Sequence, residues 1–165
     1  MNYNESELRG RRLMLLLLGL NLLLQVLPRV SALRFTLSGA LPAGALPLAC
    51  LSLAAGVLPT AVELWAIYRG SWPGLALLCI SVVTGAGNMV GLFQFGGAAA
   101  MNSAAMLSLI VLLGRGILLA AIFRHYEVNC WWNLQRLRRK RWYLALEIAL
   151  FVLALLVNLF LGYLL

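Results

Sequence analysis

The sequence is apolar along almost its whole length and has one long polar interruption, residues 124–143. Clustered arginine and lysine are rarely translocated during membrane insertion, so a segment of this kind stays on the cytoplasmic side of a membrane. The orientation of every other apolar segment follows from that assignment. The residues that mark the interruption are Trp131, Trp132, Arg136, Arg138, Arg139, Lys140 and Arg141.

Composition identifies the class of protein. Of 165 residues, 63% are hydrophobic and 11% are charged, whereas a soluble domain has about 25% charged residues. This composition excludes an ordinary soluble globule and predicts an all-α, polytopic integral membrane protein, in which 1–165 form a single transmembrane domain. The net charge of +8 does not point to nucleic acid, because ten of the thirteen Lys and Arg residues fall on the predicted inner side. We expect no nucleic-acid partner, and we expect contact with anionic lipids at the cytoplasmic face.

At roughly 20 apolar residues per span, the chain accommodates about five transmembrane helices, with the N-terminus inside and the C-terminus outside. A cytoplasmic, basic amphipathic loop at 124–141 joins the fourth span to the fifth. All five tryptophans also fall at the predicted inner border, as membrane anchors do. The pattern predicts a multi-pass protein of the bacterial inner (plasma) membrane. The predicted spans cover about 10–28, 43–68, 73–95, 98–123 and 142–165.

The first span has two interpretations. Its apolar run from Leu13 to Leu27 is short for a span, so it is either a retained anchor whose flanking arginines reach the headgroups or a signal peptide. Pro28 and the small residues up to Ala32 would suit cleavage after Ala32, which would leave four spans. Arg29 lies close to that cleavage site, which favours retention.

Three ionisable residues lie within the predicted spans, where burial of charge is costly: Glu63, Arg115 and Glu147. At about 1.5 Å rise per residue, all three fall in one layer of the cytoplasmic half of the bilayer. We expect Arg115 to lie between the two carboxylates. Such a layer is either an ion cluster that fixes the helix register or a proton or substrate site.

Small and polar side chains recur at helical spacing in the spans. Small residues let helix backbones approach closely, so we expect five of them to mediate helix packing: Gly56, Gly87, Gly91, Ala104 and Ser108. A polar stripe lies beside the glycine pair in the third span: Ser81, Thr84 and Asn88. The alternative is that Thr84 and Asn88 line a path to the charged layer.

The basic loop also has two interpretations. The spacing of Trp131, Leu134 and Leu137 predicts a helix that lies in the headgroup region, with its arginines facing water and anionic lipid. Alternatively, the arginines form a docking surface for an acidic cytoplasmic partner. The residues expected to dock lipid or partner are Trp131, Trp132, Arg136, Arg138, Arg139, Lys140 and Arg141.

Residues that would indicate an enzyme are scarce in the sequence. It has no aspartate, its one histidine, His125, lies at the predicted interface, and its three cysteines form no CxxC pair. We therefore predict no enzymatic activity, no cofactor and no metal site.

The predicted function is that of a small membrane protein that binds another membrane component. It would be an accessory or assembly subunit, or an immunity protein that protects the membrane from a toxin, and its partner would be another membrane protein. A homo-oligomer is the other expectation, and it would favour the alternative function. The alternative is a small proton-coupled transporter or exporter that uses the layer of Glu63, Arg115 and Glu147.

Overall fold

A computed structural model of the chain is all-helical. It describes residues 3–38, 45–96, 103–140 and 142–164, with side chains described at most of these positions. No strand occurs within these ranges. The six helices are α1 (Tyr3–Ser38), α2 (Ala45–Tyr68), α3 (Trp72–Gly96), α4 (Ser103–Arg124), α5 (Tyr126–Arg138) and α6 (Trp142–Leu164).

Three of these helices contain stretches that are long and apolar enough to cross a membrane: Glu5–Leu27, Trp72–Gln94 and Ala105–Arg124. The described apolar stretches of α2 and α6 are shorter, at Val57–Tyr68 and Trp142–Val157. Many large apolar side chains on the outside of the helices are exposed. Long apolar helices with an apolar exterior are typical of a membrane protein.

The first helix is longer than the predicted first span. It begins at Tyr3 and continues through Pro28 to Ser38. The polar residues that precede the predicted span are therefore helical, and they pack on α5: Arg138 donates a hydrogen bond to Glu7 at 3.0 Å, and Arg9 lies 3.9 Å from the Glu127 carboxylate.

The turn between α2 and α3 is set by a glycine and a serine. Gly70 has φ of 69°, a left-handed conformation that favours glycine, and it ends α2. Ser71 then caps α3, since its Oγ accepts a hydrogen bond from the Gly74 N–H at 3.3 Å. Pro73 occupies the first turn of α3, where a backbone N–H is not needed. The chain therefore reverses within three residues, which brings α3 back alongside α2.

The short helix α5 folds back across the ends of the longer helices. His125 is extended, with φ of −83° and ψ of 114°, and this breaks the helix between α4 and α5. Asn129 then donates to the carbonyl of Ile122 at 2.8 Å, which holds the start of α5 against α4. At its other end, α5 stops at the extended residue Arg139.

The same end of the bundle gathers the start of α1, the turn between α2 and α3, the end of α4, all of α5 and the start of α6. We call it the basic end. Its lysine and arginine residues are Arg9, Arg11, Arg12, Arg69, Arg124, Arg136, Arg138, Arg139 and Lys140.

The hydrophobic core also lies near the basic end. Helices α1 to α5 each contribute to it, including Met14 from α1, Leu118 from α4 and Trp131 from α5. Helix α6 packs against α2. Because α5 contributes to the core, it is a structural element of the bundle and not only a connection between α4 and α6.

Gly10 marks the closest approach of α1 to α5. A Cβ at this position would overlap the backbone carbonyl of Glu127 and lie 2.9 Å from the Cβ of Trp131. Gly19, on the same helix, has no atom within 4 Å of such a Cβ. Of these two glycines, only Gly10 is therefore required by packing.

We predict that Gly10→Ala lowers the thermal stability of the detergent-solubilised protein, because the backbone of α5 must move. The expected cost is about 1–3 kcal/mol, as for an overpacked core. Gly19→Ala is the matched control, and we expect it to leave stability unchanged or to raise it slightly. Equal melting temperatures for the two variants would contradict the packing of α1 on α5.

Candidate functional site

Glu63 and Arg115 form an ion pair inside the bundle. Glu63 lies on α2 and Arg115 on α4, and the Arg115 Nη2 donates to the Glu63 Oε2 at 3.2 Å. Both side chains are mostly shielded, with 9% and 17% of their surface exposed. The second oxygen of Glu63, Oε1, is buried and has no hydrogen-bond partner among the described residues. The pair neutralises two charges that would otherwise be costly at this depth.

Glu147 is held by a different set of residues. Its Oε2 accepts a hydrogen bond from the Ser71 hydroxyl at 2.6 Å and another from the Arg139 guanidinium. Only 1% of the Glu147 side chain is exposed. The Oε1 of Glu147 and the Nε of Arg139 are buried without a partner in the described ranges. This group of three residues is the most enclosed polar cluster that the structure describes.

The predicted sharing of Arg115 between the two carboxylates is therefore wrong. Glu147 is level with Ser71 in the turn after α2, whereas Glu63 lies five residues, about 8 Å, before the last residue of α2. The extended connection after α5 carries Arg139 back over Glu147. The charged residues thus form two separate pairs at different depths.

The two tryptophans of α5 are core residues. This contradicts the prediction that they dock lipid or a partner. Trp131 is 1% and Trp132 is 3% exposed. The Trp132 indole N–H donates to the Ile67 carbonyl at 3.0 Å, and the Trp131 ring lies 5.1 Å from the Tyr68 ring. The two indoles are the largest side chains on α5, so their burial anchors this helix to the core.

The basic side chains of α5 and of the connection after it differ in their exposure. Arg136, Arg138 and Lys140 are exposed, and the Arg136 guanidinium lies 4.8 Å from the Trp72 ring centroid. Arg139 is largely buried on Glu147. Arg141 lies outside the described residues.

Two residues of the polar stripe of α3, Thr84 and Asn88, face the outside of the bundle, and Ser81 is half-buried. Thr84 is exposed and donates to the carbonyl of Ile80 at 2.8 Å, and Ser81 donates to that of Leu78 at 2.8 Å. Asn88 is also exposed. These residues do not line a path to Glu63 in the described part of the chain, because they lie on the surface of α3.

The five residues predicted to mediate helix packing do not all lie at close helix contacts. A Cβ on Gly87 or Gly91 would meet no atom within 4 Å, so neither glycine is at a close helix contact in the described ranges. Ser108 is exposed on α4. Gly56 and Ala104 lie in α2 and α4, but their burial and contacts lie outside what the structure describes.

Within the predicted spans, a close contact between helices that the sequence pattern did not indicate lies between α1 and α4. Asn21 is 3% exposed, and its Nδ2 donates to the Gly114 carbonyl at 3.1 Å. A Cβ on Gly114 would lie 2.8 Å from the Leu24 side chain. Sequence reasoning did not select Gly114, although the GRG triplet around Arg115 is unusual within an apolar helix.

Comparison with known protein families, with curated proteins and with solved structures finds no match for the chain. The described residues contain no group of three His, Cys, Asp or Glu side chains that could hold a metal ion.

We predict that Arg139→Gln destabilises the protein by about 3–5 kcal/mol, because it leaves the buried Glu147 carboxylate without its cation. Arg138→Gln is the matched control, since Arg138 precedes it in the chain and pairs with Glu7 at an exposed site. An exposed pair contributes about 1 kcal/mol or less. Thermal unfolding in detergent measures the stability of both variants. Comparable losses of stability would show that Arg139 does not neutralise a buried charge.

We predict that Arg115→Leu reduces the amount of folded, membrane-inserted protein, because Glu63 is left unpaired within the bundle. The double variant Glu63→Leu/Arg115→Leu should recover much of that loss, since it removes both charges. Immunoblots of membrane fractions, with detergent gel filtration, measure the effect. Normal accumulation of the single variant would mean that the pair is not structural.

Proposed function

We propose that the chain is a five-span protein of the bacterial inner membrane, with its basic end in the cytoplasm and its C-terminus outside. Nine lysine and arginine residues at one end of the bundle support this orientation through the positive-inside rule. The proposal takes α2 and α6, of 24 and 23 residues, as spans in addition to the three candidates. Retention of α1 is supported by Met14, Leu18 and Asn21, which it contributes to the buried interior.

The proposed activity is binding to another membrane protein through the outer face of α3. The observation that carries it is Asn88. This carboxamide is exposed on an apolar helix, and the described residues offer it no hydrogen-bond partner. It lies about 9 Å from the end of the candidate span at Gln94, so it falls within the hydrocarbon region.

An unpaired amide in lipid is costly. Burial of such a group without a hydrogen bond costs about 1–3 kcal/mol on the scale of protein mutations, and lipid tails offer no donor or acceptor. Thr84 avoids this cost by donating to the Ile80 carbonyl of its own helix. Asn88 has no equivalent bond, so a group on another helix would stabilise it.

The surface around Asn88 is suited to a second helix. Gly87 adjoins it in the chain, and Gly91 follows four residues after Gly87, with open space above both. A partner helix could therefore approach the α3 backbone closely, where van der Waals contact and a hydrogen bond to Asn88 would hold it. The partner would be a transmembrane helix with a small residue and a polar group at that depth. Accessory or assembly subunits and membrane immunity proteins act by contacts of this kind.

The transporter alternative is less well supported by the same geometry. Transport through Glu63 would require the carboxylate to gain and lose a proton, whereas Arg115 and Arg139 each neutralise one glutamate where it lies. The first pair joins α2 to α4, and the second joins the connection after α5 to α6, which suits a structural role. Glu63→Gln distinguishes the two: a transporter loses pH-dependent transport with this change, and a binding protein keeps its partner.

We predict that Gly87→Leu and Asn88→Leu each abolish recovery of the stoichiometric membrane partner in a mild-detergent extract, and leave the protein folded. Gly116→Leu on α4 is the matched control, because Gly116 also has no atom within 4 Å of a built Cβ. Affinity purification with quantitative mass spectrometry measures partner recovery, and gel filtration measures folding.

Two results would contradict binding through α3. Partner recovery that is unaffected by both α3 variants would place the interface elsewhere. A homo-oligomer without any other protein would favour the transporter, and Glu63→Gln would then be the next variant.

A further inference from the structure

A polar cavity of about 120 Å³ lies at the basic end, near the start of α6. It is several times larger than a single water molecule requires. The turn after α2, the end of α5, the connection after α5 and the first turn of α6 all contribute to its wall. The lining residues are Arg69, Gln135, Arg138, Arg139, Lys140 and Tyr143. We call it the basic pocket.

The positive charge that lines the basic pocket exceeds the negative charge of the carboxylates that pair with the lining residues. Four of its six lining residues are cationic. Glu7 pairs with Arg138, and Glu147 pairs with Arg139. No carboxylate among the described residues lies within ion-pair distance of Arg69 or Lys140. Two cations therefore remain without an anion at a concave site.

Helix dipoles do not remove this surplus. The C-terminal ends of α2 and α5 point toward the pocket and contribute about half a negative charge each, which explains part of the clustering of basic residues. The N-terminus of α6 contributes about half a positive charge in return. The total remains positive by more than one charge, so the pocket favours an anion.

The cationic groups are already oriented. The Arg69 guanidinium lies 4.8 Å from the Tyr143 ring centroid and 5.9 Å from that of Trp65, and these contacts hold it at the wall of the pocket. Arg139 is fixed by Glu147, while its Nε is a buried donor that has no acceptor among the described residues. Oriented guanidinium groups with free donors suit an oxyanion with several acceptor oxygens.

We infer that the basic pocket binds a phosphate group, with Arg69 and Lys140 as its charge partners and Gln135 and Tyr143 as neutral donors. The group belongs either to an anionic lipid headgroup or to a soluble phosphate compound. A lipid headgroup is available wherever the basic end meets the membrane surface. This site is separate from the outer face of α3, so partner binding there and phosphate binding here can fail independently.

The test uses the full chain, purified in a neutral detergent. Short-chain phosphatidylglycerol, inorganic phosphate and oleate are titrated separately, and binding is measured by thermal shift and native mass spectrometry. Oleate is the anion without phosphate. The pocket variant is Arg69→Gln/Lys140→Gln, and its control is Arg12→Gln/Arg124→Gln, which removes the same charge from exposed residues of the basic end that do not line the pocket.

We expect the wild-type protein and the control to bind the phosphate ligand, and the pocket variant to bind it at least about tenfold more weakly, as for the loss of one charge-assisted hydrogen bond. Saturation by phosphatidylglycerol alone would identify a lipid headgroup, and saturation by inorganic phosphate would identify a soluble compound. Lys140→Gln alone should give a smaller loss in the same direction. Because Lys140 is exposed, this variant tests the site even if the double variant does not fold.

Three results would overturn the inference. The first is that neither phosphate ligand binds the wild-type protein. The pocket variant and the control could lose affinity equally, which would indicate only the general charge of the basic end. Oleate could bind as tightly as phosphatidylglycerol and with the same dependence on Arg69 and Lys140, which would show that the pocket does not recognise phosphate.

Discussion

Trp132 donates its indole N–H to the carbonyl of Ile67, and Trp131 packs beside Tyr68, so both large rings of α5 are buried against the end of α2. This contact determines where the rest of the basic end can lie. Gly10 and Gly70 let α1 and the turn after α2 approach α5 closely. With α5 held in this position, the connection after it returns toward α6, and Arg139 reaches Glu147.

The distribution of charge follows from that arrangement. Each of the two interior glutamates, Glu63 and Glu147, has its own arginine: Arg115 on α4 pairs with Glu63 on α2, and Arg139 in the connection after α5 pairs with Glu147 on α6. Because the sequence has thirteen basic and five acidic residues, most of the positive charge has no carboxylate to pair with. That surplus lies at the basic end, where it suits the negatively charged face of a membrane and the proposed phosphate site.

The two proposed interaction sites differ in depth and in chemistry. On the face of α3 around Asn88, Thr84 is satisfied by its own helix and Asn88 is the unpaired polar group, so this face would recognise a helix within the hydrocarbon region. The basic pocket is polar and lies at the basic end, where it would recognise an anion. A protein with little mass outside its helices has few other surfaces for recognition.

Hydropathy and charge along the chain were sufficient to predict an all-helical protein with membrane-spanning stretches and one strongly basic segment. These properties depend on local composition, since a run of apolar residues in lipid must satisfy its own backbone hydrogen bonds as a helix. The pairing of Glu63 with Arg115 could be anticipated, because an isolated charge inside a bundle requires a partner.

Only the tertiary structure decided which face of each helix is buried and which groups meet. The loop tryptophans were expected at the membrane surface, but α5 folds back and buries them, and this depends on the break at His125. Glu147 pairs with Arg139 because the extended connection after α5 has the required reach, which residue spacing along a helix does not indicate. Gly114 lies at a close contact, because the Asn21 amide of α1 donates to its carbonyl and the Leu24 side chain packs over it, whereas the outer position of Gly87 on α3 leaves it without a neighbour. Helix rotation and depth depend on packing among distant segments, whereas helix formation in an apolar medium does not.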